Sequence, residues 1–439
     1  MSLFNSMNDS IKVYPKKKNT TSHTNSIGRL VCFFSISILY FISQGAYAQY
    51  PGIEDDIKKH RQGELVIHAK PGSKIIIEQI SHEFWFGGAI SNSFVNGNLS
   101  AENREKYAQI FKENFNAAVT ENALKWPSME KERGAVKYDE VDAILGWTES
   151  EGIPLRGHNL FWGITQFIQP WVLELEDEEL FKTMQKRAET ISTRYKGRFA
   201  EYDLNNEMIH GNYYEDRFGK DITNKMADWV IDFDPEAKLY LNDYDILTGK
   251  NLPQYMLHIR QLLNQGVPLA GIGVQGHSHS DTFDREKLRS SLDSLAIFNL
   301  PIKITEFNMP GQNSKYYKDR SLILSQGEEE KKAKEMVDFL KICFAHPAVD
   351  GVLFWGFWEG ANWIPASSLY KLDWSPTPAA KAYKDLVYKE WWTKESLIAN
   401  AEGEVKVSVF YGKLKVTANG KSQEIEFSKN QNNKTINLD

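Results

Sequence analysis

Two glutamates, Glu207 and Glu306, each stand at the end of a short run of strand-type residues. Two carboxyl groups held about 5–5.5 Å apart can divide a displacement between them. One, still protonated, gives its proton to a leaving oxygen, while the other, ionised, attacks the carbon that the oxygen leaves. The ends of similar runs carry Asn122 and Lys125, His158 and Trp162, Asn206, Tyr244, Gln275 and His277, and Trp355 and Trp363. The chain has 12 Trp, 19 Tyr and 24 Phe, more rings than a core of its size uses, so some are expected to face a ligand. Rings stack on the apolar faces of sugars, and together with paired carboxylates they point to glycosidic-bond chemistry.

Residues so far apart in sequence meet only if a regular scaffold brings them together. Eight strand candidates are legible: Phe84–Ile90, Ala117–Thr120, Pro154–His158, Glu201–Asn205, Ala237–Leu241, Ala270–Val274, Pro301–Thr305 and Val349–Trp355. Between them run helix-period stretches such as Glu102–Asn114, Glu178–Tyr195 and Glu328–Ala345. This alternation predicts an α/β fold, a (β/α)8 TIM barrel over residues 81–392, with the active site at the carboxyl ends of its strands. Glu207 and Glu306 then belong to the fourth and seventh strands and face one another across the cleft.

Short β appendages are expected at both ends of the barrel. Residues 49–80 hold a strand, a Lys-Pro-Gly-Ser turn and a second strand; residues 393–439 hold a small β unit with a turn at Ala418-Asn419-Gly420. The tail is too short to bury a core of its own and is expected to pack on the barrel. Residues 1–48 read as a secretory signal peptide: Lys16, Lys17, Lys18 and Arg29 precede the apolar run Leu30–Ile42, and Ala46-Tyr47-Ala48 follows as a cleavage site. The apolar run is shorter than the roughly 20 residues that span a bilayer, so no membrane anchor is expected after cleavage. The product is expected to be secreted or periplasmic and monomeric. Cleavage removes Cys32 and leaves Cys343 alone, so no internal disulfide can form.

At 41% hydrophobic and 25% charged residues the chain is ordinary for a globular protein, and without residues 1–48 its 47 Lys+Arg against 57 Asp+Glu leave a net charge of −10, which argues against nucleic acid as a partner. His277-Ser-His279-Ser-Asp281 has the look of a metal site but lacks a clear third ligand, so no metal is expected, and His279 and Asp281 are expected to be solvated or to sit behind the site. No metal, nucleotide or organic cofactor is needed by the two-carboxylate chemistry. Trp147, Trp229, Trp391 and Trp392 lie on helical or terminal stretches and are read as core.

Seven segments in order carry a resemblance to a known family. They are Thr120-Glu-Asn-Ala-Leu-Lys-Trp126, Arg156-Gly-His-Asn-Leu-Phe-Trp162, Tyr202-Asp-Leu-Asn-Asn-Glu207, Leu241-Asn-Asp-Tyr244, Gly273-Val-Gln-Gly-His277, Ile304-Thr-Glu306 and Trp355-Gly-Phe-Trp358. Over residues 80–390 the chain resembles glycoside hydrolase family 10, the retaining endo-β-1,4-xylanases, and in particular their plant-type branch. The resemblance implies that Glu207 is the acid/base, Glu306 the nucleophile, and Asn206 the holder of a sugar 2-hydroxyl. It implies that Gln275 and His277 surround the nucleophile, that Asn122, Lys125, His158 and Trp162 grip the non-reducing side, and that Trp355 and Trp363 form floor and wall. The implied substrate is a xylan-type polysaccharide.

Two departures stand out. Family members commonly carry His-x-Gln after the tryptophan matching Trp162, where this chain reads Gly163-Ile-Thr-Gln166, and an aspartate commonly stands where this chain has Asn308. Asn308 can accept a hydrogen bond from His277 but brings no charge to favour a protonated imidazole. Other readings stay open: the same chemistry on another β-glycan or an aryl β-glycoside, or a polysaccharide-binding barrel without turnover. A metal-dependent lyase or Schiff-base aldolase on the same fold would need a carboxylate cluster or a buried lysine that the strand ends do not offer.

Overall fold

A computed structural model describes residues 52–277, 279–431 and 433–438; the expected signal peptide and Cys32 lie outside the described residues. The chain enters through a helix, Ile53–Arg61, and two strands, β1 (Gln62–His68) and β2 (Lys74–His82). Nine strands follow: β3 (Trp85–Ile90), β4 (Ala117–Thr120), β5 (Leu155–Gly157), β6 (Phe161–Trp162), β7 (Glu201–Asn206), β8 (Leu239–Asp243), β9 (Leu269–Val274), β10 (Ile302–Phe307) and β11 (Val349–Phe354). All pair in parallel in the order β5-β4-β3-β11-β10-β9-β8-β7-β6, and β5 also pairs with β7. That last pairing closes eight strands into the expected barrel; β6 is a two-residue extension alongside β7.

Barrel strands are covered on both faces, so they carry unbroken burial rather than alternation, as in β7, β8 and β10. Several strand ends differ from the expectation by one or two residues. The fifth barrel strand runs Leu239–Asp243 rather than Ala237–Leu241, because Asn242 and Asp243 stay buried in it with their side chains hydrogen-bonded. Polarity there marks the site, not the end of the strand. The intervening helices start at side-chain caps: Ser100 accepts from Asn103 N ahead of Ala101–Asn114, and Ser325 and Glu328 form a reciprocal capping box ahead of Gln326–Ala345. One close approach requires glycine, since a Cβ on Gly271 would lie 2.1 Å from the Tyr240 ring.

The amino-terminal half of the barrel interior holds charge. Arg156 on β5 pairs with Glu201 and Asp203 on β7, and Lys303 on β10 lies 2.9 Å from Glu201 and 3.2 Å from Asp350 on β11. Burial alone would raise the pKa of Glu201 and Asp203, yet the facing cations hold both carboxyls below their ordinary range. The network reaches upward, because Asp203 Oδ2 is 2.8 Å from His158 Nδ1.

The two flanking segments, expected as separate appendages, share two sheets with strands β12 (Lys394–Ile398), β13 (Glu404–Phe410), β14 (Gly412–Ala418), β15 (Lys421–Phe427) and β16 (Asn433–Asn437). Strand β1 lies between β13 and β16, and the other sheet runs β12-β2-β14-β15. Leu65, Ile67, Ile75, Ile77, Val409, Leu414, Val416, Ile425 and Phe427 form a core between them. Neither end has enough strands to cover its own apolar face; together they do. The segment before β1 is a helix, not strand or loop, with Ile53, Ile57 and Arg61 buried at a spacing of four. The Arg61 guanidinium reaches the carbonyls of His346 and Val349 at 2.6 and 2.7 Å, which ties this unit to the barrel.

Candidate active site

Glu306 lies next to last in β10 and is buried. Its Oε1 accepts from Asn242 Nδ2 at 2.7 Å and lies 3.9 Å from His158 Nδ1; its Oε2 is 2.8 Å from His277 Nε2. Burial by itself disfavours the charge, but His158, His277 and Lys125 outweigh it and hold the carboxyl below its ordinary range. Glu306 is therefore set to be an anion.

Glu207 follows β7 directly, with its backbone in the left-handed region at φ 58°. Hydrogen bonds hold it there: its N donates to Asn242 O, and its carbonyl accepts from His210 N and Gly211 N. The side chain accepts from Trp162 Nε1 at 2.8 Å and from Gln275 Nε2 at 2.9 Å. Its pKa is pushed up to about 7, by burial first and by the charges of Glu306 and Asp243 second, against the pull of both hydrogen bonds. The charge of Glu306 alone is thus not what keeps Glu207 protonated; desolvation is the larger cause.

The other expected residues fall around these two. Asn206 is buried beside Glu207 and accepts from Asn242 Nδ2 at 3.0 Å. Lys125 Nζ donates to Asn122 Oδ1 at 2.9 Å and lies 4.9 Å from the centre of the Trp162 ring and 5.6 Å from that of Trp355. His158 and His277 meet the Trp355 ring edge-on at 5.1 and 5.9 Å, and Trp363 lies 4.7 Å from His277. Tyr244 stacks flat on His210, centres 3.6 Å apart and planes within 12°. Gln275 donates its amide to Glu207, whereas His277 bonds Glu306.

Three residues belong to the site without having been singled out. Asn242 links both halves, donating to Glu306 and to Asn206 while its Oδ1 accepts from Thr305 Oγ1 at 2.6 Å. Asp243 and His210 form a 2.6 Å pair beneath Tyr244. Asn242 and Asp243 lie inside the Leu241–Tyr244 motif, and their place at a barrel strand's carboxyl end was the available signal.

His277, His279 and Asp281 separate in space. His279 is buried against Phe283 and Phe339, and burial brings its pKa down to about 4; Asp281 pairs with Lys331 on the exterior. The expectation of a solvated His279 is corrected: two rings cover it. Among the described residues no three His, Cys, Asp or Glu side chains gather as metal ligands would.

A closed (β/α)8 barrel with two oppositely tuned carboxyl groups and indole walls at the carboxyl ends of its strands is the architecture of a glycoside hydrolase. The chain belongs to glycosyl hydrolase family 10, whose model matches residues 76–386. It is 31% identical over 351 residues to the Anti-sigma-I factor RsgI6 of Acetivibrio thermocellus, covering 79% of this chain and 43% of that one. To Endo-1,4-beta-xylanase 3 of Arabidopsis thaliana it is 34% identical over 328 residues, 73% of this chain and 41% of that one, in keeping with the plant-type branch. The chain thus spans less than half the length of either relative. Among solved structures it is similar to xylanase 10B from Thermotoga petrophila in complex with xylobiose, with 26% identity and a TM-score of 0.60 over 70% of this chain and 95% of that one.

Proposed function

We propose that this chain hydrolyses β-1,4-xylosidic linkages within xylan chains, with net retention, on Glu306 as nucleophile and Glu207 as acid/base. The observation that carries the reading is the opposite setting of the two carboxyls: Glu306 held below its ordinary range, Glu207 pushed up to about 7. At mildly acidic pH one is an anion and the other an acid, as the first step requires. In that step Glu306 attacks the anomeric carbon and Glu207 gives its proton to the leaving chain. Once Glu306 is esterified its charge is gone, and the part of Glu207's shift that came from that charge goes with it. Glu207 then accepts a proton from water more readily, although burial keeps its pKa above that of a solvated carboxyl.

The surrounding residues suit the parts that the family resemblance implies, except that Gln275 serves Glu207 rather than Glu306. Asn206 has its oxygen engaged by Asn242, which leaves its amide nitrogen as the group to donate to a sugar 2-hydroxyl. Trp162 and Gln275 orient Glu207; His158 and His277 orient Glu306; Asn122, Lys125, Tyr244, Trp355 and Trp363 line the path of the glycan. The xylobiose complex of the Thermotoga petrophila enzyme supports a xylan-type ligand, and the xylanase names of the plant relatives support the linkage. Export by residues 1–48, a monomeric state, and a division into a barrel and a β unit built from both flanks complete the reading. Among the described residues no helix is long and apolar enough to cross a membrane.

A panel of xylan, arabinoxylan, glucan and mannan, scored for product length, tests it. Xylan should yield a ladder of short oligosaccharides. Faster cleavage of glucan or mannan would move the substrate to another β-glycan, and binding of xylan without any cleavage would make this a polysaccharide-binding barrel.

A further inference from the structure

Behind His277 lies a relay that sets how many protons its ring carries. His277 Nδ1 is 2.7 Å from Asn308 Oδ1, and Asn308 Nδ2 is 2.8 Å from Ser367 Oγ and 3.3 Å from the carbonyl of Trp355. All four side chains of the chain Glu306, His277, Asn308 and Ser367 are buried. An amide can stand either way round, and its partners decide which. The carbonyl of Trp355 can only accept. Ser367 directs its one hydroxyl proton to Ile364 O at 2.8 Å and so also presents a lone pair to Asn308, while Asn362 Nδ2, 3.4 Å away, offers it a second donor. Asn362 is itself held in that sense, because its Oδ1 accepts from Ile364 N and its nitrogen donates to Ser368 Oγ. Asn308 must therefore turn its nitrogen to Ser367 and Trp355 and its oxygen to His277.

An oxygen at 2.7 Å from Nδ1 requires a proton on Nδ1. On the other side of the ring, Nε2 faces Glu306 Oε2 at 2.8 Å, and an ionised carboxylate also accepts only. With Glu306 ionised both ring nitrogens must donate. Reversing the Asn308 amide would put a donor against Nδ1 and leave a neutral ring that donates to Glu306 through Nε2 alone. The charged and titratable groups that face this pair are His158 and Lys125, Glu207, and His279 just beyond in the chain, with Asp203 behind His158. None of them touches Nδ1.

We propose that Ser367 is a positioning residue: by holding the nitrogen of Asn308 it makes an uncharged amide act as an aspartate would, keeping His277 doubly protonated against Glu306. This rests on Glu306 being the nucleophile. It also changes the meaning of Asn308, since the missing charge costs less than the sequence suggests when the amide is locked as an acceptor.

Nitrogen-15 spectra of histidine-labelled protein, with the His277 signals assigned by difference from a His277→Gln sample, read the ring directly. Across the pH range where kcat/KM is on its plateau, both His277 nitrogens should have imidazolium shifts. Ser367→Ala leaves only the longer 3.3 Å contact to the Trp355 carbonyl holding the amide, so the amide should reverse, the ring should become neutral and the acidic limb of kcat/KM should rise by about one pH unit, the scale of losing a neighbouring opposite charge. Ser367→Thr keeps the hydroxyl and should keep both the spectrum and the limb. A neutral Nε2–H ring in the wild type would overturn the proposal without any variant, and so would an acidic limb shared by wild type and a folded Ser367→Ala. A Glu306→Gly variant that still turns over xylan would instead sink the reading of Glu306 beneath it.

Discussion

The indole nitrogen of Trp162 donates to Glu207 Oε2 at 2.8 Å, so a ring expected to serve as a sugar platform also holds that carboxyl in place. The bond favours the carboxylate and pulls the Glu207 pKa down against burial. Trp162→Phe keeps a ring but removes the donor. Glu207 should then hold its proton to higher pH, and the basic limb of kcat/KM should move up by up to about one unit, the equivalent of one hydrogen bond to a charged group. A limb that stays put, measured with a full pH profile, would mean that the bond is absent in solution.

Removing Glu207 separates the two tasks proposed for it. Glu207→Ala should abolish hydrolysis of xylan while sparing the first step on xylosides with an activated phenol leaving group, which departs without a proton. Added azide should restore turnover and appear as a β-glycosyl azide. Equal loss on both substrate types with no rescue would take Glu207 out of that role.

The two tryptophans of the wall should respond differently. Trp355 is buried on Ala89, Val119 and Leu353, whereas Trp363 is only partly buried, at the edges of that cluster and of a second one formed by Tyr316, Leu324, Ile364 and Ala366. Trp355→Ala should cost about 3 kcal/mol or more of stability as well as activity. Trp363→Ala should lower kcat/KM by about tenfold, with little change in Tm, if a sugar–ring contact is worth about 1.4 kcal/mol. Melting curves and kinetics on the same samples distinguish the two patterns.

Charge in the lower barrel gives a stability prediction with a definite sign. Glu201 and Asp203 have folded-state pKa values below their unfolded values. Their contribution is present above the unfolded carboxyl range near pH 4 and is lost as pH falls through the depressed folded values. Lys303→Met leaves the buried Glu201 and the partly buried Asp350 with less compensation and should cost about 3–5 kcal/mol, read from urea midpoints at neutral pH. An unchanged midpoint would show that the network is dispensable.

Most of the barrel was legible because its strands are short, apolar and separated by helices of ordinary length. The two-residue β6 has no periodicity to detect, and the helix Ile53–Arg61 carries so much charge that two isoleucines four apart were its only signal. The interleaving of β1 and β2 with the tail depends on pairing across more than 300 residues, which no local pattern encodes. At the site, residue types at strand ends were sufficient to find Glu207, Glu306, His158 and His277. They could not tell that Gln275 would turn to Glu207, nor that burial would outweigh the charge of Glu306 in tuning it, because both follow from packing. The orientation of Asn308 likewise depends on Ser367, 59 residues further along the chain.

Trapping the covalent intermediate is the most direct test of Glu306 as nucleophile. A 2-deoxy-2-fluoro xylobioside with an activated phenol slows the second step more than the first, so the glycosyl-enzyme should accumulate. Peptide mass spectrometry should then find one added disaccharide on the fragment containing Glu306 and none on that containing Glu207. A label on another residue, or prompt release of phenol by wild type with inverted product and no adduct, would contradict a retaining mechanism on these two glutamates.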